Sequence, residues 1–194
     1  QLSRSLGMEF ATAAFHNSYY FHKDDNVITN KEEVCGDFEK LINLQLKEKH
    51  PKSWMRAFFN MGLINYIEGS RRMLPCQAGE MNFFVEPYGD IYPCNGLEKK
   101  YWKKSMGNIR ETPNFKEIWE GEQAEQVRQM VRRCPKNCWM VGTASPVMHK
   151  YIKYPLKWAL KNKLRSLQGK TACLDKCWYN VGQDPSQGDL REVF

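Results

Sequence analysis

From residue 30 onward the apolar positions fall at helical spacing. Val34, Phe38, Leu41 and Ile42 recur through about Glu48, and an Asn30–Glu33 pair just ahead of them resembles a capping box. His50-Pro51 breaks this helix. Pro51 can open a second one, which carries Trp54, Phe58, Met61 and Tyr66 as a bulky buried side and which Gly69 can close. The period then shortens. Met81 to Glu86 is a short apolar run, Pro87-Tyr88-Gly89-Asp90 has turn chemistry, and Ile91-Tyr92-Pro93 leads back, so the stretch predicts a hairpin. Gly107-Asn108 reads as a turn and Thr112-Pro113 as a helix start. Phe115, Ile118 and Trp119 give an apolar helical face that Gly121 interrupts, and Glu122 to Arg133 continues as a helix with Val127, Met130 and Val131 inward. Pro155 to Gln168 is again helical, with Leu156, Leu160, Leu164 and Leu167 down one side and Gly169 as its stop. Ahead of all these, residues 8–15 (MEFATAAF) are small and apolar enough for a buried strand. The expected class is α+β.

Composition narrows the function classes. With 42% hydrophobic and 13% aromatic residues the chain can bury a core, which excludes a disordered tail or linker. No run of 18 apolar residues occurs, and nothing at Gln1 has the charged start and apolar core of a secretory leader. The expectation is a soluble cytoplasmic protein, with membrane-peripheral attachment the variant to consider. Charge supplies the reason. The formal net charge is +7, and residues 147–170 alone carry seven Lys and Arg with no acid. Such a basic amphipathic segment either packs its leucines on the rest of the protein and shows its lysines to water, or lies on an anionic membrane surface, or grips nucleic acid, the least favoured partner. A second basic run, Lys99 to Lys104 (KKYWKK), interleaves aromatics but reads first as a solvated loop.

Seven cysteines, an odd number at partly metal-like spacing, point to a reducing compartment rather than a disulfide framework. Cys76 and Cys94 stand 18 positions apart, at the open end of the predicted hairpin; Cys134 follows 40 later and Cys138 closes a CxxxC. Four thiolates can hold zinc or an iron-sulfur cluster. Structural zinc favours tight CxxC knuckles in both halves, so this spread leans toward iron and sulfur, with buried apolar thiols as the remaining reading. Cys35, inside the first helix, is expected to pack. Cys173 and Cys177 repeat the CxxxCW form of Cys134 to Trp139 and are either a further metal pair or idle tail cysteines. Arg71 and Arg72 either solvate a linker or help hold a net-negative cluster.

The order Cys76, Gly89, Cys94, the MGNI at Met106–Ile109, the FKEIW at Phe115–Trp119 and a closing CxxxCW resembles the C-terminal extension of radical S-adenosylmethionine enzymes known as SPASM or, in its one-cluster form, twitch. The resemblance covers about residues 70–140. It implies one auxiliary 4Fe-4S cluster on Cys76, Cys94, Cys134 and Cys138, because the extra cysteines of the two-cluster form are missing. It further implies three parts: residues 1–70 as the C-terminal remnant of a partial (β/α) barrel, 71–145 as the auxiliary-cluster domain, and 146–194 as a basic helix and tail. By this resemblance residues 8–15 would be a late strand of the barrel, and the loop after it would turn His16, Asn17 and Ser18 toward substrate or cosubstrate, although ordinary loop polar groups account for them as well.

The catalytic CxxxCxxC motif of that family is not in this sequence. After Cys134 and Cys138 its third place is Val141, and after Cys173 and Cys177 it is Asn180. The expectation is therefore the C-terminal part of a longer oxidoreductase or maturase, inactive alone, with S-adenosylmethionine and a second 4Fe-4S cluster bound by an upstream barrel. No residue here is assigned a catalytic role. The substrate is open among peptides, sugars and lipid-linked metabolites. The rival class is a zinc-stabilised cysteine module that docks a protein or peptide.

Overall fold

The computed structural model describes residues 5–8, 10–18, 22–23, 25–96 and 104–174. Helix α1 spans Lys31–Lys47 and α2 spans Pro51–Ile67. The Asn30 amide donates to the Glu33 carboxylate at 3.0 Å rather than closing the reciprocal backbone bonds of a capping box. Pro51 begins α2, where a missing N–H costs nothing, and Gly69 leaves it at φ +76°. Phe58, Met61, Leu63, Ile64 and Ile67 of α2 and Ile42 and Leu46 of α1 form the centre of the larger core. Trp54 and Tyr66 sit half-buried at its edge, with the Trp54 indole donating to the Glu48 carbonyl at 2.8 Å.

The hairpin forms as its turn chemistry predicts. Strands β1 (Phe84–Val85) and β2 (Asp90–Tyr92) pair antiparallel, with Phe84 opposite Tyr92 and Val85 opposite Ile91. Gly89 takes φ +97° in the turn and donates to the Glu86 carbonyl. Gly107–Asn108, expected as a turn, instead adds β3 on the far side of β2. A side chain at Gly107 would meet Ile118 at 2.6 Å, so the glycine admits close approach of the sheet to the next helix. That helix, α3 (Phe115–Glu120), starts after Asn114, whose side chain accepts from the Lys116 N–H. Gly121 then separates it from α4 (Glu122–Arg132). Ile91, Met106, Ile118, Ala124 and Val127 close a second, smaller core. Arg128 ties it together, donating to the Gly79 carbonyl at 2.8 Å with its guanidinium over the Trp119 ring.

Three expectations change. Residues 10–17 are extended but join no ladder, so the buried strand over 8–15 does not form. From Ala11 to Phe15 the stretch still alternates: Ala14 packs on the larger core and Thr12 donates to Asn60 at 2.5 Å, while Ala11, Ala13 and Phe15 face outward. An apolar run becomes a sheet strand only where a neighbouring edge is free to pair, and here the facing element is a helix.

Helix α5 (Val141–Lys150) has no counterpart among the elements read from the sequence, and it carries Pro146 in its interior. Pro146 forgoes only a bond to the exposed Gly142 carbonyl, and burial of Thr143, Ala144, Val147 and Met148 outweighs it. A boundary between residues 145 and 146 falls inside this helix.

The third change concerns α6 (Lys153–Leu167). It buries Pro155, Trp158, Ala159 and Asn162 against α1 and α2, so packing of the leucine stripe on these helices, one of the readings open for it, gives way to an outward face. The mixed helical and antiparallel architecture is α+β.

Candidate metal centre

Four separate stretches deliver the four thiols. Cys76 follows the buried Met73-Leu74, Cys94 leaves β2, Cys134 leaves α4, and Cys138 stands just before the buried Trp139. All are half-buried free thiols. They sense one another: Cys94 is affected by the charges of Cys76, Cys134 and Cys138, and Cys134 by those of Cys138 and Cys76. Even so, among the described residues no three His, Cys, Asp or Glu side chains gather tightly enough to hold a single metal ion.

Burial sets the protonation of the metal-free thiols. It pushes Cys94 up to about 12, against a backbone hydrogen bond from Gly96 that favours the thiolate. It pushes Cys134 up to about 11, against the corresponding bond from Lys136. Cys138 is also raised by burial, while the Lys136 and Arg72 cations pull it back. At neutral pH such thiols keep their protons until a cationic group displaces them.

The supports explain how distant loops hold this geometry. Arg72 is 6% exposed and bridges three carbonyls: Leu74 at 2.9 Å, Thr143 at 3.1 Å, and Cys138 itself. Its guanidinium also lies 5.3 Å from the centre of the Trp139 ring. Arg71 is exposed, so the pair divides into one solvated and one buried member. Lys136 donates to the Gly96 carbonyl at 3.0 Å, Ser18 to the Asn95 carbonyl at 2.5 Å, and Asn82 to the Pro93 carbonyl at 3.1 Å, fixing the loop around Cys94 from three sides. Asn137 donates to the Ser70 and Tyr66 carbonyls and seats the CxxxC loop at the end of α2. A side chain at Gly96 would stand 3.0 Å from the Met140 methyl and 4.0 Å from the Cys138 sulfur, so this loop packs closely on the CxxxC segment.

His16 and Ser18 thus contact the cysteine loops, while Asn17 accepts from the Asn26 N–H. His16 donates through Nδ1 to the Ala14 carbonyl at 2.8 Å and accepts the Trp139 N–H on Nε2 at 3.1 Å, stacked on Tyr66. These two partners define a neutral tautomer. Burial, followed by the Lys136 and Arg72 charges, lowers its pKa against the opposing Ala14 bond. His16→Leu leaves the Trp139 N–H without an acceptor and is expected to destabilise the protein by about 1–3 kcal/mol, with His16→Gln recovering part of the loss. Urea denaturation of the three proteins checks this; equal midpoints would show that the acceptor is dispensable.

Asn82, Asn137 and Lys136 carried no motif in the sequence; only Lys136 and Asn137, between Cys134 and Cys138, had a position that hinted at a role. Cys35 packs in the larger core as expected. Cys173 is held elsewhere, its N–H donating to Asn162 at 2.6 Å beside an Ala172–Asn43 bond to α1. Cys177, most of the Lys99–Lys104 run and the end of the chain lie outside the described residues.

An α+β module converging four thiols from its loops is the class that the fold and site define. Residues 76–140 match the family model of SPASM, an iron-sulfur cluster-binding domain. No curated protein and no solved structure matches the chain. The match supports an iron-sulfur cofactor, and the donor set fits one: four thiols, three of them with backbone N–H donors, flanked by two cations that offset an anionic group.

Proposed function

We propose that Cys76, Cys94, Cys134 and Cys138 hold one 4Fe-4S cluster, and that this chain is the auxiliary-cluster portion of a radical S-adenosylmethionine oxidoreductase or maturase. The carrying observation is the convergence of four thiols within a stretch that matches a cluster-binding family. The sequence spacing, one pair 18 positions apart and the other a CxxxC, supports an iron-sulfur group over zinc, whose structural sites favour tight CxxC knuckles. When bound, the cluster supplies one-electron transfer.

The protein's own groups do the rest. Four thiolates leave no ligand position vacant for substrate, which favours an electron relay or a structural role over direct substrate binding. Gly96 and Lys136 backbone N–H groups and the Arg72 and Lys136 charges stabilise the anionic sulfurs. The S-adenosylmethionine site belongs to a barrel outside these 194 residues, since the sequence has no CxxxCxxC.

Iron, zinc and acid-labile sulfide per chain, measured on anaerobically purified protein with its visible spectrum, test the assignment. About four irons and four sulfides are expected, with loss of both in Cys94→Ala and Cys138→Ala. One zinc without sulfide after anaerobic reconstitution would overturn it.

A further inference from the structure

The outward face of α6 is built from two kinds of side chain and has no role in the centre described above. Leu156, Leu160, Leu164 and Leu167 are 45–71% exposed, and Ile152 continues the stripe one turn earlier. Single exposed leucines are ordinary, but five aligned apolar residues on one helix form a patch. Lys153, Lys157 and Lys161 are exposed as well, and each stands three residues before a leucine, on the same side of the helix. The opposite face is already committed to the core through Trp158, Ala159 and Asn162.

The basic residues of the segment divide by task. Lys163 donates to the Leu46 and Glu48 carbonyls at 2.8 and 2.9 Å, where it caps the end of α1, and Arg165 donates to the Thr171 carbonyl at 3.1 Å. Lys161 reaches the Cys173 sulfur at 3.9 Å and Lys153 lies 4.9 Å from the centre of the Tyr154 ring, yet these two and Lys157 all stay exposed, and no acid occurs anywhere in residues 147–170. A solvated surface helix ordinarily mixes both signs of charge. This one offers only cations around an apolar strip.

We propose that α6 docks flat on an anionic phospholipid bilayer. Its leucines enter the boundary between headgroups and acyl chains, and its lysines extend their stems along them to reach the phosphates. Charge complementarity selects the occupant: a headgroup plane is anionic along the whole length of the helix, about 22 Å for 15 residues. The helix lies on the membrane rather than through it, because among the described residues no helix is long and apolar enough to cross. Packing of α6 on α1 and α2 holds the strip rigidly outward.

Co-sedimentation of the full 194-residue chain with vesicles tests this, using phosphatidylcholine alone and phosphatidylcholine mixed with phosphatidylglycerol. Binding is expected only with the anionic lipid. The triple change Lys153→Glu, Lys157→Glu, Lys161→Glu should weaken it about a hundredfold, and Leu156→Ser, Leu160→Ser, Leu164→Ser at least about tenfold. All six positions are exposed, so circular dichroism and iron content should match the parent protein and isolate the surface effect. Failure to bind anionic vesicles, equal binding to neutral ones, or no response to the lysine changes would overturn the proposal. So would lysine-dependent binding that ignores the leucine changes, which would mark a general polyanion site such as one for nucleic acid. Because the readout does not depend on the cluster, the two proposals fail separately.

Discussion

Gly62→Ala is expected to destabilise the protein by about 3 kcal/mol, although alanine is the better helix former. Gly62 lies within α2, and a Cβ there would stand 2.1 Å from the Trp139 indole. The ring has no room to retreat. It is fully buried, its Nε1 donates to the Phe59 carbonyl at 2.8 Å, Phe58 and Phe59 pack against it, and Arg72 covers it. Trp139→Ala should itself cost about 3–5 kcal/mol through the cavity it leaves. The diagnostic protein is the double variant: with the indole gone, Gly62→Ala adds no further loss and regains helix propensity, so the two effects are strongly non-additive. Guanidinium or urea denaturation of all four proteins measures the cycle. Additive losses would show that the glycine and the tryptophan act independently. Because Trp139 directly follows Cys138, both single variants should also make the metal centre more labile.

Arg72→Met should cost about 3–5 kcal/mol, since it removes a charged donor shared among three buried carbonyls. Arg72→Lys is the sharper comparison. It retains a cation near Cys138, so the electrostatic support of that sulfur survives, but one ammonium cannot reproduce a planar fork reaching Leu74, Cys138 and Thr143 together. Stability should therefore fall almost as far with lysine as with methionine, while cluster retention after brief exposure to chelator should be better with lysine. Parent-like stability of Arg72→Lys would reduce the role of Arg72 to its charge.

Much of the local structure is written in short-range chemistry. Pro51, Gly69, Gly89 and Gly169 stand at starts, turns and stops that form as their backbone preferences require. The cysteines were equally legible, because few residue types ligate metal and their spacing around a hairpin is unusual. Their supports were not. Asn137 and Lys136 look like any loop polar residues until the Ser70 and Gly96 carbonyls that they bind are brought close by the fold. Arg72 looked interchangeable with Arg71, and burial alone separates them.

The amphipathic patterns show the same limit. The spacing of Leu156, Leu160, Leu164 and Leu167 correctly marks a helix, but periodicity does not say which face meets the core. Trp158, Ala159 and Asn162 form a rival face, and the contours of α1 and α2 accept that one. Pro146 likewise reads as a break until the neighbouring buried side chains outweigh one lost hydrogen bond. The sequence by itself determined the helices other than α5, the hairpin, the four thiols and the local surplus of positive charge, because each follows from residues near one another in the chain. Tertiary structure decided which arginine is buried, which glycine must yield to an indole, that residues 10–17 pack without pairing, and that the leucines of α6 face outward. Those outcomes depend on surfaces meeting across 50 to 120 positions of sequence, where shape complementarity rather than local preference selects the winner.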